Sequence, residues 1–315
     1  GSNELQVVEQ TLVVRAPAQR VFDTYLRAEG WPQIHSAILH TERTALTEGQ
    51  DVVRVWALRG PDAVRDWRAR RTIDREGLRV AFTNEPAQPG MADSGGEWSF
   101  RPQPDGTTLA AVRHEFSVVE GSPLPAESIV QNLRHHSGRQ LAELADAAQR
   151  ADELTHLTLS FEDTLHVNGH PEHAWKMLYE ANKWPERLPH VTTLTMTEDT
   201  PGIQFFDMDT TTSDGKPHTT RSVRICQPHT LITYKQLRTP PLLTVHTGHW
   251  RFTPTPHGLT LGARHTVTIN PTNLHLLGPH TTIQDARDYL RRVLSTNSLG
   301  NLRLAKTYAE EQAGH

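Results

Sequence analysis

The chain carries a tryptophan followed directly by proline twice, as Trp31-Pro32 in GWPQIHSAI and as Trp184-Pro185 in KWPERLPHV, 153 residues apart. Tryptophan is scarce and proline interrupts regular structure, so a recurring pair is a sensitive sign of internal duplication. Other landmarks keep the spacing. Arg71 and Arg224 lie 153 residues apart, Trp98 and Trp250 (in EWSFRP and HWRFTP) 152, and His114 and His265 (in AVRHEF and GARHTV) 151. A period this long means two whole domains rather than a solenoid of short repeats. The seam falls near residues 150–153, which divides the chain into 4–151 and 152–315.

Each unit reads as the same series of elements. LQVVEQTLVV alternates like a half-buried strand. APAQRVFDTYLRA follows, with Pro17 near a helix start and Val21, Phe22, Tyr25 and Leu26 at helical spacing. The Trp-Pro corner stops that helix. Six strand-like runs come next, from AILHTERTAL to TTLAAVRHEFSVV, separated by turn signals such as RGPDA and QPDG. A helix over roughly 125–150 closes the unit, with an apolar stripe at Val130, Leu133, Leu141, Leu144 and Ala148. The second unit repeats this order and ends in a helix over roughly 281–312. The α+β pattern predicts, in each unit, a curved seven-stranded antiparallel sheet wrapped around the long last helix with a central cavity.

Strand alternation sorts the side chains by face. Arg71 shares a face with Trp67, Ala69 and Ile73; His114 with Val112 and Phe116; Trp98 with Gly96 and Phe100. In the second unit Arg224 goes with Thr220, Ser222 and Cys226, His265 with Ala263 and Val267, and Trp250 with Gly248 and Phe252. Each unit is thus expected to hold an inward arginine and an inward histidine in an aromatic-lined interior. A buried guanidinium needs an acceptor, which a ligand carbonyl or a developing enolate can supply. Arginine stays charged and suits orienting and polarising, whereas histidine titrates near neutrality and moves protons. Thr220 replaces Trp67 in the second unit, so the chemistry is assigned to the first.

Composition removes several function classes. A net charge of -4 and a pI near 6.6 point away from nucleic acid. No apolar run is long enough for a bilayer, and the first residues lack a signal-peptide pattern. Cys226 is the single cysteine, which excludes a disulfide framework or a thiolate metal cluster and fits a cytoplasmic setting. Fourteen of the 19 histidines follow residue 150 and invite a metal reading. His246 and His249, three apart on one strand, face opposite sides, so no metal is expected.

The Trp-Pro corner after the first helix, the Trp67-x-x-x-Arg71 strand in WRARR, a tryptophan on the sixth strand and a polar side chain on the seventh resemble bacterial aromatase/cyclases of type II polyketide synthases. Those enzymes share the helix-grip (START-like, Bet v 1-like) fold. Both halves match, which points to the di-domain subclass. The resemblance implies aldol cyclisation and dehydration of a poly-β-ketone tethered to an acyl carrier protein, with the first ring closed between C7 and C12 of a ketoreduced chain. It implies no cofactor, and as partners the acyl carrier protein, ketosynthase and ketoreductase. The family's pocket arginine falls on Arg71, its strand tryptophans on Trp67 and Trp98, and its polar seventh-strand residue on His114. Arg71 and His114 are therefore expected to be catalytic, with Trp67, Trp98, Trp31, Phe116 and Ala69 around substrate. Arg224, His265, Trp250 and Ser222 form the matching second pocket. Two departures stand out. The pocket tyrosine that some single-domain members place seven residues after the Trp of Trp-Pro is Ile38 here and Val191 in the second half, so His114 is expected to take over proton transfer. Their serine two residues before the arginine is Ala69, restored as Ser222. The rival expectations are a non-catalytic carrier of a hydrophobic ligand and a scaffold for other synthase subunits.

Overall fold

In the first unit β1 (Leu5–Val14) leads into α1 (Ala18–Leu26), which buries Val21, Phe22 and Tyr25 on one face. A 3-10 turn at Ala28–Gly30 joins it to α2 (Trp31–Ile34). Pro32 lies in the first turn of α2, where a missing N–H costs no helical hydrogen bond, and Trp31 Nε1 donates to the Tyr25 carbonyl at 2.8 Å. Six strands follow: β2 (Ile38–Thr47), β3 (Gln50–Leu58), β4 (Val64–Asp74), β5 (Arg79–Glu85), β6 (Met91–Pro102) and β7 (Thr108–Val118). The helix α3 (Ala126–Gln149) ends the unit. The structure is a computed structural model and describes residues 4–189, 191–211, 215 and 217–314.

All neighbouring strands are antiparallel, in the order β1-β7-β6-β5-β4-β3-β2. The first two strands are therefore opposite edges of one sheet, and the α1–α2 segment carries the chain from one to the other. A core of Val21, Phe22, Phe100, Val112, Leu141 and Leu144, among others, fills the space between sheet and helices. The stripe of α3 differs from the expected one. Ile129, Ser137, Leu141, Leu144 and Ala148 are buried, while Val130 and Leu133 are only partly covered. A polar residue, Ser137, thus occupies the middle of the inward face.

The chain divides into two compact units after Ala151. A short helix not expected from the sequence, α4 (Ala151–Leu157), sits at the seam; Asp152 and Glu153 in its first turn complement the helix dipole. The second unit continues with β8 (Thr158–Val167), α5 (Pro171–Tyr179), a 3-10 turn at Ala181–Lys183 and α6 (Trp184–Arg187). Its remaining strands are β9 (Val191–Thr200), β10 (Ile203–Thr211), β11 (Pro217–Gln227), β12 (Leu231–Arg238), β13 (Leu243–Thr255) and β14 (Gly258–Ile269), in the order β8-β14-β13-β12-β11-β10-β9. A 3-10 segment at Pro271–Leu277 precedes α7 (Ile283–Ala313), which starts with a capping box between Thr282 and Asp285. Among the described residues no helix is long and apolar enough to cross a membrane.

Candidate active site

One inward row of residues crosses each sheet, because residues directly opposite in register share a face. In the first unit it runs Asp51, Arg71, Phe82, Gly96, His114, Val8. The matching row of the second unit is Gln204, Arg224, Tyr234, Gly248, His265, Phe161. Arginine, glycine and histidine are common to both; the other three positions differ. The glycine is needed for close approach. A Cβ on Gly96 would lie 1.9 Å from the Arg113 carbonyl oxygen and 3.0 Å from the Phe82 ring. On Gly248 it would lie 2.3 Å from the Tyr234 hydroxyl. In both units an aromatic ring from one strand therefore lies across a glycine of the next and reaches the histidine beyond it.

At one end of the first row, Arg71 is fully buried. Its Nε and Nη2 donate to the two oxygens of buried Asp51, each at 2.8 Å, and Nη2 also donates to the Leu26 carbonyl at 3.0 Å. Arg43 Nε adds a third hydrogen bond to Asp51 at 2.7 Å. Burial opposes the Asp51 charge, but Arg71 and Arg43 together hold its carboxyl below the ordinary range. The acceptor expected from a ligand is thus supplied by the protein. Arg71 packs against the rings of Trp31 and Tyr25, 5.5 and 5.9 Å from their centroids, and its Nη1 has no hydrogen-bond partner among the described residues. Tyr25 in turn stacks on Trp98 at 4.8 Å. Burial pushes the Tyr25 hydroxyl up to about 12, against the downward pull of the Arg71 charge.

A cavity of about 300 Å³ opens beside this row. Trp31, Trp67, Ala69, Trp98, His114 and Phe116 all line it, as does Tyr25. Arg71 does not; it lies behind the ring wall. His114 meets the edge of Phe82 at 5.7 Å, and its Nε2 lies 2.9 Å from the buried Ser137 hydroxyl on α3. Burial lowers the His114 pKa to about 4, so the imidazole is neutral at pH 7. A second histidine also lines the cavity. His35, four residues after Trp31, is buried with Nδ1 3.2 Å from Glu143 on α3. Burial alone would raise the Glu143 pKa, but hydrogen bonds from His35 and the Ser36 amide hold it down at about 2.

The second row is closed upon itself. The Tyr234 hydroxyl lies 3.0 Å from His265 Nδ1, and His246 Nε2 lies 3.0 Å from the same nitrogen. His246 takes the place of Ser94, counting two residues along the strand from the row glycine. Burial pushes His265 down to about 4; burial and then the His265 charge push His246 well below its ordinary range. Arg224 is buried beneath Trp184, 5.3 Å from the ring centroid, as Arg71 is beneath Trp31. It forms no ion pair with a carboxylate among the described residues. Nη2 donates to the Leu178 and Tyr179 carbonyls, while Nε and Nη1 have no partner among the described residues, and burial lowers its pKa. Ser222 and Trp250 are buried. A void beside Leu178, Trp184 and Asn301 measures only about 10 Å³.

Sequence reasoning missed Tyr25, His35, Asp51, Ser137 and Glu143. Asp51 was the most accessible of these. It and Arg71 are both ten residues from Pro61 in the hairpin turn, which puts them opposite each other. His35 stood inside the Trp-Pro motif, where the second unit has Leu188. Ser137 and Glu143 required the packing of α3 over the sheet.

The chain is 39% identical over 313 residues to an actinorhodin polyketide synthase bifunctional cyclase/dehydratase of Streptomyces coelicolor, with 96% of each chain covered. A granaticin polyketide synthase bifunctional cyclase/dehydratase of Streptomyces violaceoruber is 36% identical, over 96% of this chain and 94% of that one. Among solved structures, the di-domain ARO/CYC StfQ of the steffimycin pathway superposes with a TM-score of 0.86 at 48% identity, covering 98% of this chain and 100% of that one. The di-domain ARO/CYC BexL of the BE-7585A pathway also gives 0.86, at 33% identity, covering 97% and 99%. With residues 6–149 and 158–304 each matching the family described as polyketide cyclase / dehydrase and lipid transport, the chain belongs to that family, twice over.

Proposed function

We propose that the chain is a polyketide aromatase/cyclase whose first unit closes and dehydrates the first ring of a carrier-tethered poly-β-ketone, between C7 and C12 of a ketoreduced chain. The observation that carries this is the open, aromatic-walled cavity flanked by a neutral histidine and by a tyrosine backed by a buried ion pair. Flat walls at Trp67 and Trp98 suit a flat conjugated chain, and holding its two reacting carbons together supplies much of the rate.

The His114 imidazole takes a proton from a carbon between two carbonyls. The enolate carbon attacks the ketone carbon across the nascent ring, forming the C–C bond and an alkoxide. The imidazolium returns the proton to that oxygen. In the second stage His114 removes another α-proton, and its imidazolium gives that proton to the hydroxyl, which leaves as water. Ser137 at Nε2 holds the ring in place for both stages. The Tyr25 hydroxyl donates to the carbonyl oxygen that gains charge. Arg71, clamped by Asp51, lies behind Tyr25 and Trp31, so it is a positioning residue whose charge favours the anion through the wall. A carrier of inert lipid gains nothing from this polar row.

The test is reconstitution with a minimal polyketide synthase and a ketoreductase, comparing wild type with His114→Gln and His265→Gln. Wild type should shift shunt products to a dehydrated first ring. His114→Gln should lose that shift by at least about 100-fold, the scale of a missing general base, and His265→Gln should keep it. Equal loss from both variants would refute the first-unit assignment. No shift with wild type would favour the carrier.

A further inference from the structure

Three arginines, Arg59, Arg65 and Arg139, line the same cavity as His114, although the chain as a whole is acidic. Arg59 and the neighbouring His136 are exposed, which puts this group at the opening. Arg65 lies over the face of Trp67, 4.8 Å from the ring centroid, and Arg139 Nη2 lies 3.4 Å from His136 Nδ1. None of the three forms an ion pair among the described residues. Two nearby acids pair with other arginines: Asp66 with Arg54 at 3.0 Å, Glu115 with Arg113 at 2.7 Å. Arg65 Nη2 and Arg139 Nε are moreover buried without a hydrogen-bond partner. Burial, then the Arg59 charge, pulls the Arg65 pKa down to about 10, and the Asp66 charge offsets this only in part.

The fold does not require these groups. Counting from the row arginine, Arg65 corresponds to His218 in the second unit. Counting from the serines buried at the same point of the two long helices, Ser137 and Ser298, Arg139 corresponds to Gly300. Unpaired guanidinium donors at a cavity mouth suit a phosphate, whose oxygens match their geometry.

We infer that Arg59, Arg65 and Arg139 form a phosphate-binding site at the mouth of the first cavity, and that its ligand is the phosphate of the pantetheine arm that delivers the polyketide. The inference rests on the function proposed above. Arg65 anchors the phosphate where Trp67 begins the aromatic wall, so the thioester end of the arm is directed inward past that ring.

The experiment compares binding of 4′-phosphopantetheine, pantetheine and inorganic phosphate to the full chain by calorimetry. Wild type should bind phosphopantetheine at least about ten-fold more tightly than pantetheine. The gap should shrink as salt is raised and fall below about two-fold in an Arg65→Gln/Arg139→Gln variant. Equal affinity for the two pantetheines in wild type, or an undiminished gap in that variant, would overturn the site. Inorganic phosphate binding as tightly as phosphopantetheine would overturn the arm as its ligand. The cyclase reading is checked separately, with the ketide on a phosphate-free thioester. Ring closure of that thioester, alongside equal affinity for the two pantetheines, would sink the phosphate site and leave the function standing.

Discussion

Replacing Asp51 by asparagine tests how the buried arginine is held. Asp51 accepts two hydrogen bonds at 2.8 Å from Arg71 and one at 2.7 Å from Arg43, and neither Asp51 nor Arg71 has measurable exposure. Asparagine keeps the shape but has one acceptor and turns an N–H toward a guanidinium. Removing one partner of a buried ion pair costs about 3–5 kcal/mol, and the conservative change belongs at the lower end. For a unit of this size, about 3 kcal/mol lowers the melting temperature by roughly 6–12 °C. Arg43 adds little to the cost, since its side chain is 34% exposed and regains water. Calorimetry of the full chain measures the loss, and hydrogen exchange should localise it to β3 and β4. The companion variant, Asp51→Leu with Arg71→Met, removes both charges and should recover stability to within about 1 kcal/mol of wild type. It should still fail to close the ring, because nothing charged then backs Tyr25. A fall under about 2 °C for Asp51→Asn, or a double variant no more stable than the single, would refute the energetic argument. Full activity in the double variant would remove Arg71 from the mechanism.

Phe82→Tyr should give the first row the hydroxyl that closes the second, tying up His114; ring closure should drop at least about ten-fold with no loss of thermal stability, and unchanged turnover would count against the comparison. Gly96→Ala should abolish folding of the first unit, since its Cβ would lie 1.9 Å from the Arg113 carbonyl oxygen; a normal circular dichroism spectrum would contradict this. The buried histidines set the pH response. His114 and His265 both have pKa values lowered to about 4, against about 6.5 when unfolded, so the unfolded chain binds more protons between those values. Stability should be level above pH 6.5 and fall as the pH drops toward 4, by up to about 3 kcal/mol per histidine. Urea titrations at pH 7.5 and 4.5 measure this, and His265→Leu should reduce the dependence while leaving the part owed to His114.

Much of this arrangement was legible from the chain, and the part that was not has a physical reason. Period-2 alternation put Arg71, His114, Trp67 and Trp98 on inward faces, because a strand's side-chain direction follows from counting. Counting along one strand does not say how far inside a side chain ends or what meets it there. Arg71 was correctly inward, yet its partner came from the neighbouring strand and Tyr25 and Trp31 came between it and the cavity. His246 and His249 were correctly placed on opposite faces, but the contact of His246 with His265 depends on the register of β13 against β14. The His114–Ser137 and His35–Glu143 pairs join the sheet or its corner to α3 across 23 and 108 positions of sequence. No local pattern specifies such pairs; only the docking of the helix does.

The duplication also separates what the fold needs from what the chemistry uses. In both units the row arginine donates to carbonyls at the end of the first helix, Leu26 in one and Leu178 with Tyr179 in the other. Those are among the acceptors that a helix C-terminus leaves unsatisfied. In both units the tryptophan of the Trp-Pro corner covers the guanidinium. The motif therefore recurs because it closes the end of the sheet over a buried cation, and Arg224 keeps this duty without an ion pair to a carboxylate among the described residues. Asp51, Phe82 and His35 occur only in the first unit, at positions where the second has Gln204, Tyr234 and Leu188. An arginine shared by both units cannot by itself distinguish an active site from an architectural one. The proposed assignment to the first unit therefore rests on what only that unit has: the acid that fixes the arginine, a ring without a hydroxyl beside the histidine, and the histidine–carboxylate pair at the cavity wall.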